Sequence, residues 1–138
     1  MGDASDDAPR ILVVEDEPAT ADLLGHIFEV DGYRVLVAND GARALELAQT
    51  KPGVIAALVD LELPWMDGRT LIAELRKNES TKNVRIIVVS GARDANTIVA
   101  DAFVPKPLSV ERLREVLHRV HEWAPLPLES RSATAQIA

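Results

Sequence analysis

The chain has 138 residues, a formal charge of −7, 47% hydrophobic and 27% charged residues, and no cysteine. Those figures fit one soluble globular domain and argue against direct binding to a nucleic-acid backbone, which depends on clustered positive charge. The absence of cysteine excludes disulfides, thiolate metal sites and thiol nucleophiles, and neither a membrane-length apolar run nor an export signal is evident, so a cytoplasmic protein with no membrane partner is expected.

Residues 1–9 (MGDASDDAP) are small or acidic and read as a disordered acidic tail. Ile11 to Val14 is the first strand expected. A helix follows from Pro18, with Ala21, Leu24, Ile27 and Phe28 inward and a stop at Gly32. Tyr33 to Ala38 reads as the second strand, and Gly41 to Lys51 as the second helix, with Ala44, Leu45 and Ala48 inward and Pro52 closing it. Val54 to Val59 is a third strand. Gly68 to Lys77, capped by Asp67, is a third helix facing inward through Leu71, Ile72 and Leu75. The β-branched run Val84 to Val89 is a fourth strand. A short amphipathic piece near Ala95 to Ala100 then leads to a brief fifth strand, Ala102 to Val104.

The last helix expected is Val110 to Trp123, with Leu113, Val116, Leu117 and Val120 inward, Ser109 as its cap and Leu108 stapling onto Leu113. Residues 124–138 show no period and read as a flexible tail, which leaves 10–123 as the folded domain. Strands apolar on both sides, alternating with amphipathic helices, predict a doubly wound α/β fold with a parallel sheet and helices on both faces.

Folds of this kind build their sites at the carboxyl ends of the strands. At those ends stand Glu15 and Asp16, Asp60, Ser90 and Lys106. Asp16 alone would pass for a helix cap and Asp60 for a turn residue. Together they present three carboxylates, and two such charges about 4 Å apart repel by roughly 4 kcal/mol at an effective dielectric near 20. Mg²⁺ relieves that repulsion with oxygen ligands alone. Lys106 and Ser90, on the far side of Asp60 from the acid pair, suit a second, anionic ligand such as a phosphoryl group. With no cysteine or histidine on the rim, an aspartate is the available nucleophile toward phosphorus, and Asp60 is the central one.

The segments ILVVEDEP, ANDGARAL, LVDLELPWMDG, VVSGA and FVPKPL, each at a strand end and in this order, resemble the receiver domain of two-component response regulators over nearly all of 10–123. The resemblance implies a flavodoxin-like sheet of order 2-1-3-4-5. It implies a stand-alone phosphoacceptor switch that takes a phosphoryl group on Asp60 from a phosphohistidine of a histidine kinase or a histidine phosphotransfer protein. Mg²⁺ would be held by Asp16, Asp60, the backbone carbonyl of Glu62 and, through water, Glu15. Lys106 would pair with phosphate and often precede a cis proline, Pro107. Ser90 would bond a phosphate oxygen, and Phe103 would be the aromatic that turns as Ser90 moves. Output would be a surface offered to a downstream protein, not catalysis on other molecules.

Three other readings compete. A degenerate receiver acting as a constitutive binding module would lack one of these residues, and none is missing. An aspartyl-phosphate phosphohydrolase would carry a second aspartate where Leu61, Glu62 and Leu63 stand, and FMN binding would need a Gly/Ser/Thr loop where Glu15 and Asp16 stand. Arg112, Arg114 and Arg119 read as a solvated face, His26, His118 and His121 as helix surface, Trp65 as loop packing and Trp123 as closure of the last helix. Ser90 and Lys106 lie sixteen positions apart, closer than the family usually has them. The fourth helix is therefore expected to be shortened to about two turns, weakening the dimer surface it commonly forms.

Overall fold

The computed structural model describes residues 8–61, 67–91 and 100–123, with the side chains of the final helix through Val120. In chain order the elements are β1 (Arg10–Val14), α1 (Pro18–Val30), β2 (Arg34–Ala38), α2 (Gly41–Thr50), β3 (Val54–Asp60), α3 (Gly68–Lys77), β4 (Arg85–Ser90), β5 (Ala102–Pro105) and α4 (Val110–Trp123). All strand pairs are parallel and the sheet order is β2-β1-β3-β4-β5, as the resemblance implied. The helix expected last is α4 here. The short fourth helix falls largely on 92–99, and both tails, apart from Ala8 and Pro9, also lie outside the described residues.

Strand side chains alternate between two apolar layers, and both are buried over the central strands β1, β3 and β4, while the edge strands β2 and β5 are only partly covered. Leu12, Val14, Ala57, Val59, Ile86 and Val88 pack with α2 and α3 through Ala44, Leu47, Leu71 and Leu75. Ile11, Val13, Leu58, Ile87 and Val104 pack instead with α1 and α4 through Leu24, Phe28, Leu113 and Leu117. In α2 the inward set needs one correction. Leu47 is buried, while Leu45, expected inward, is only partly covered at the edge of the same layer. Val84 is buried but precedes β4, which begins at Arg85 and runs one residue further than expected, to Ser90.

α1 starts on Pro18 without a side-chain cap, and the other three described helix starts follow from their caps. Asp40 accepts from the Arg43 amide at 2.8 Å, Asp67 from the Thr70 amide at 2.9 Å and Ser109 from the Arg112 amide at 3.3 Å. Each such bond satisfies one of the amides a helix leaves unpaired and contributes about 1 kcal/mol. The amide of Thr70 holds the Asp67 carboxyl below the usual carboxylate range. Leu108 is partly buried in the same layer as Leu113, consistent with the staple. α1 ends where Gly32 takes a φ of +98°, letting the Tyr33 amide reach back to the Phe28 carbonyl at 3.1 Å. Beside that turn, Arg114 donates to Asp31 at 3.0 Å and ties α4 to the end of α1.

Candidate functional site

β1 delivers two acids to the rim. The Glu15 amide bonds the Ala38 carbonyl at 3.0 Å, extending the β1–β2 ladder by one residue, and its carboxylate turns into the cleft with only 7% of the residue exposed. Asp16, next in the chain, is exposed. Asp60 is the last residue of β3 and is 4% exposed, because β3 lies between β1 and β4. One carboxylate oxygen from each of Glu15, Asp16 and Asp60 lies within 4.8 Å of the others. From the other side the Lys106 Nζ donates to Asp60 Oδ2 at 2.9 Å, while the Lys106 amide bonds the Ser90 carbonyl at 3.1 Å. Ser90 ends β4 and is buried. The Lys106–Pro107 peptide is cis.

Burial, and then the negative charge of Asp60, push the Glu15 carboxyl above its ordinary range, against the opposing pull of the Glu17 amide and Lys106. Three carboxylates facing one lysine form a set of hard oxygen donors with excess negative charge, which fits a small divalent cation. The raised Glu15 has a measurable sign. A carboxyl raised in the folded state favours folding below its unfolded value, and that contribution is lost as pH rises through the folded value. At neutral pH without metal, ionised Glu15 therefore weakens the fold. Glu15→Gln is expected to melt higher than the parent at neutral pH without Mg²⁺, with the gap closing as pH falls through the carboxylate range. Added Mg²⁺ is expected to raise the melting temperature of the parent more than that of the variant. Equal melting temperatures at neutral pH without metal would count against this electrostatic account.

The cleft is also lined by Thr20, Leu23, Pro107 and Leu108. Leu23 is 55% exposed and stands off the inward stripe of α1. Helical period identifies what faces the core, and only a leucine out of phase with it hints at a contact surface. Phe103, paired in register with Val88, is partly buried against the layer formed with α2 and α3. Glu62, Pro64 and Trp65 lie outside the described residues. Across the loop that contains them, the Gly68 amide bonds the Leu61 carbonyl at 2.9 Å, so the start of α3 sits against the end of β3. His26 and His118 are exposed. No described helix is long and apolar enough to cross a membrane.

The chain is similar to parts of transcriptional regulators and sensor histidine kinases. Over 122 residues the chain is 34% identical to the DNA-binding dual master transcriptional regulator RpaA of Synechocystis sp., covering 80% of this chain and 50% of the relative. Over 114 residues it is 34% identical to the sensor histidine kinase TmoS of Ectopseudomonas mendocina, covering 78% of this chain and 12% of that protein. The chain thus spans half or less of the length of these curated relatives. Among solved structures, a sensor protein from Polaromonas sp. JS666 superimposes with a TM-score of 0.75 at 34% identity, covering 81% of this chain and 94% of that one. The receiver domain of a sensor histidine kinase from Pseudomonas aeruginosa, solved with a magnesium ion coordinated in its active-site cleft, gives a TM-score of 0.74 at 28% identity, covering 81% and 96%. The model of the response regulator receiver domain matches residues 11–118. With five parallel strands in this order, the acids and the lysine at their carboxyl ends, and a match across nearly the whole folded part, the chain belongs to the response regulator receiver domain family.

Proposed function

We propose that this receiver domain is a phosphoacceptor switch and that Asp60 takes the phosphoryl group. The observation that carries this is the 2.9 Å contact between Lys106 Nζ and Asp60 Oδ2 at the edge of a three-carboxylate cluster, in a cleft open to solvent. An aspartate so placed has a cation on one side and a site for a second cation on the other. Glu15, Asp16 and Asp60 would hold Mg²⁺, together with the Glu62 carbonyl that the family resemblance implies, and the ion would offset the negative charge of the incoming phosphoryl oxygens.

The donor is a phosphohistidine on a histidine kinase or a histidine phosphotransfer protein. An oxygen of the Asp60 carboxylate attacks phosphorus in line. The P–O bond forms as the P–N bond breaks, and the imidazole leaves with the electron pair and is protonated from solvent. Lys106 exchanges its bond to Asp60 for one to a phosphoryl oxygen, and the Ser90 hydroxyl donates to another. Drawing Ser90 toward the phosphate opens space into which Phe103 turns, which alters the surface presented to a downstream protein through α1, α4 or the segment between β4 and β5. Incubation of the chain with acetyl phosphate tests the reading. A mass gain of one phosphoryl group that requires Mg²⁺ supports it, and no gain in the presence of both would refute it.

A donor protein must bring its imidazole into the cleft, so its surface has to cover the rim where Leu23 stands exposed beside Thr20, Pro107 and Leu108. Leu23→Ser is expected to slow transfer from a phosphohistidine protein by about tenfold, the equivalent of roughly 1.4 kcal/mol of lost apolar contact. Labelling by acetyl phosphate, which needs no docking surface, is expected to stay at the parent rate. Equal slowing with both donors would show that Leu23 acts on the cleft and not on the partner.

A further inference from the structure

Lys106 follows directly on β5, and at that end the Lys106 amide, bonded to the Ser90 carbonyl at 3.1 Å, is what continues the pairing with β4. β5 is four residues long, lies at the edge of the sheet and, among the described residues, pairs only with β4. It ends in Pro105, which offers no amide to the ladder. A slip of one residue would move Lys106 by about 3.3 Å and turn its side chain to the opposite face. Either change breaks the contact with Asp60.

At the other end of β5 the register is pinned. The Asp101 amide donates to the Ile86 carbonyl at 2.8 Å, and the Asp101 Oδ2 accepts from the Ile86 amide at 2.7 Å. One residue therefore engages both backbone groups of Ile86, its side chain standing in for a strand carbonyl. The same carboxylate takes Arg76 at 3.0 Å and Arg85 at 3.3 Å, in a part-buried setting where ion pairs are less screened than on an open surface. Arg76 is itself held by the carbonyls of Lys82 at 3.0 Å and Val84 at 2.6 Å. It stands near the end of α3, the helix whose first residue, Gly68, is bonded to Leu61 next to Asp60. The path from Asp60 through α3, Arg76, Asp101 and β5 to Lys106 closes on Asp60 again.

We propose that Asp101 is a positioning residue for the phosphoacceptor site: gripped by Arg76 and Arg85, it locks β5 in register on β4 and so sets Lys106, about 16 Å further along the strand from Asp101, against Asp60. The proposal rests on the role given to Asp60 and Lys106 above. Its test is a double-mutant cycle on the full chain, with acetyl phosphate and Mg²⁺ as the donor system and the urea midpoint measured in parallel.

Asp101→Ala is expected to slow labelling by about tenfold or more, the scale of a small misplacement of a reacting group. In the Lys106→Met background, where there is no ammonium left to position, Asp101→Ala is expected to cause no further slowing, although it lowers the urea midpoint as much as in the parent. Asp101→Asn keeps an acceptor for the Ile86 amide but loses the charge that holds the arginines. It is expected to slow labelling by less and, being the milder change, provides the same cycle if the alanine variant fails to fold. Slowing by Asp101→Asn or Asp101→Ala that persists undiminished in the Lys106→Met background would overturn the proposal, as would labelling of these variants at the parent rate. A parent chain that takes no label would instead remove the phosphoacceptor reading itself.

Discussion

Asp60→Asn is expected to abolish phosphoryl uptake from acetyl phosphate in the presence of Mg²⁺, a loss of all signal in intact-mass measurement. The amide keeps the shape of the side chain and can still accept from Lys106, but it lacks the anionic oxygen that the proposed transfer needs to attack phosphorus. No neighbouring group replaces it. Glu15 is nearly sealed from solvent and its carboxyl is raised first by burial, which the substitution leaves in place, while Asp16 is exposed at the edge of the cleft. The same substitution removes one of three negative charges from the cluster, so the variant is expected to melt higher than the parent when metal is absent. A variant labelled to the extent of the parent would disprove the assignment of Asp60.

Gly68→Ala is expected to be the most damaging change of a single methyl group near the site. A Cβ at position 68 would stand 2.6 Å from Leu61 Cα, 2.9 Å from the Asp60 carbonyl oxygen and 3.0 Å from Leu61 Cδ2. Two of those atoms belong to the backbone and cannot rotate away. Relief has to come from separating α3 from the end of β3, which stretches the Gly68–Leu61 hydrogen bond and shifts Asp60, the proposed phosphoacceptor. Overpacking of this kind costs about 1–3 kcal/mol, and the accompanying displacement of Asp60 is expected to slow labelling by about a hundredfold. Gly25→Ala provides the contrast. There the added carbon, in the interior of α1, meets only Val35 Cγ1 of β2 at 3.6 Å, an ordinary contact, so stability is expected to rise by up to about 1 kcal/mol with labelling unchanged. Urea midpoints and labelling rates of the two variants check both statements, and a Gly68→Ala chain as stable and as fast as the parent would refute the steric argument.

The parallel sheet could be read from the chain because its strands are apolar on both faces and each ends at a polar residue. That abrupt change placed Glu15, Asp16, Asp60, Ser90 and Lys106 on one rim before any geometry was considered. Periodicity failed where it was ambiguous. The run ALELA in α2 offers apolar side chains at 44, 45, 47 and 48, and packing against the sheet selects 44, 47 and 48. It was also silent on contacts between distant parts of the chain. Asp101 finds Arg76 twenty-five residues away, and the need for glycine at 68 comes from a backbone approach that no local pattern encodes. Leu23 was visible only as an exception to the stripe around it, with nothing to say that the cleft lay beside it.

The order in which the rim is made has a consequence for synthesis. Glu15 and Asp16 leave the ribosome first, Asp60 follows, and Lys106 comes 46 residues after Asp60. At about 5–20 residues per second that is an interval of roughly 2–9 s. Any docking of β1 on β3 during that interval gathers all three acids with no lysine among them, and β4 and β5 have yet to be added beyond β3. A divalent cation would then supply the missing positive charge, so an ion held by the finished site, as proposed above, would also favour the first half of the sheet while the chain is still being made.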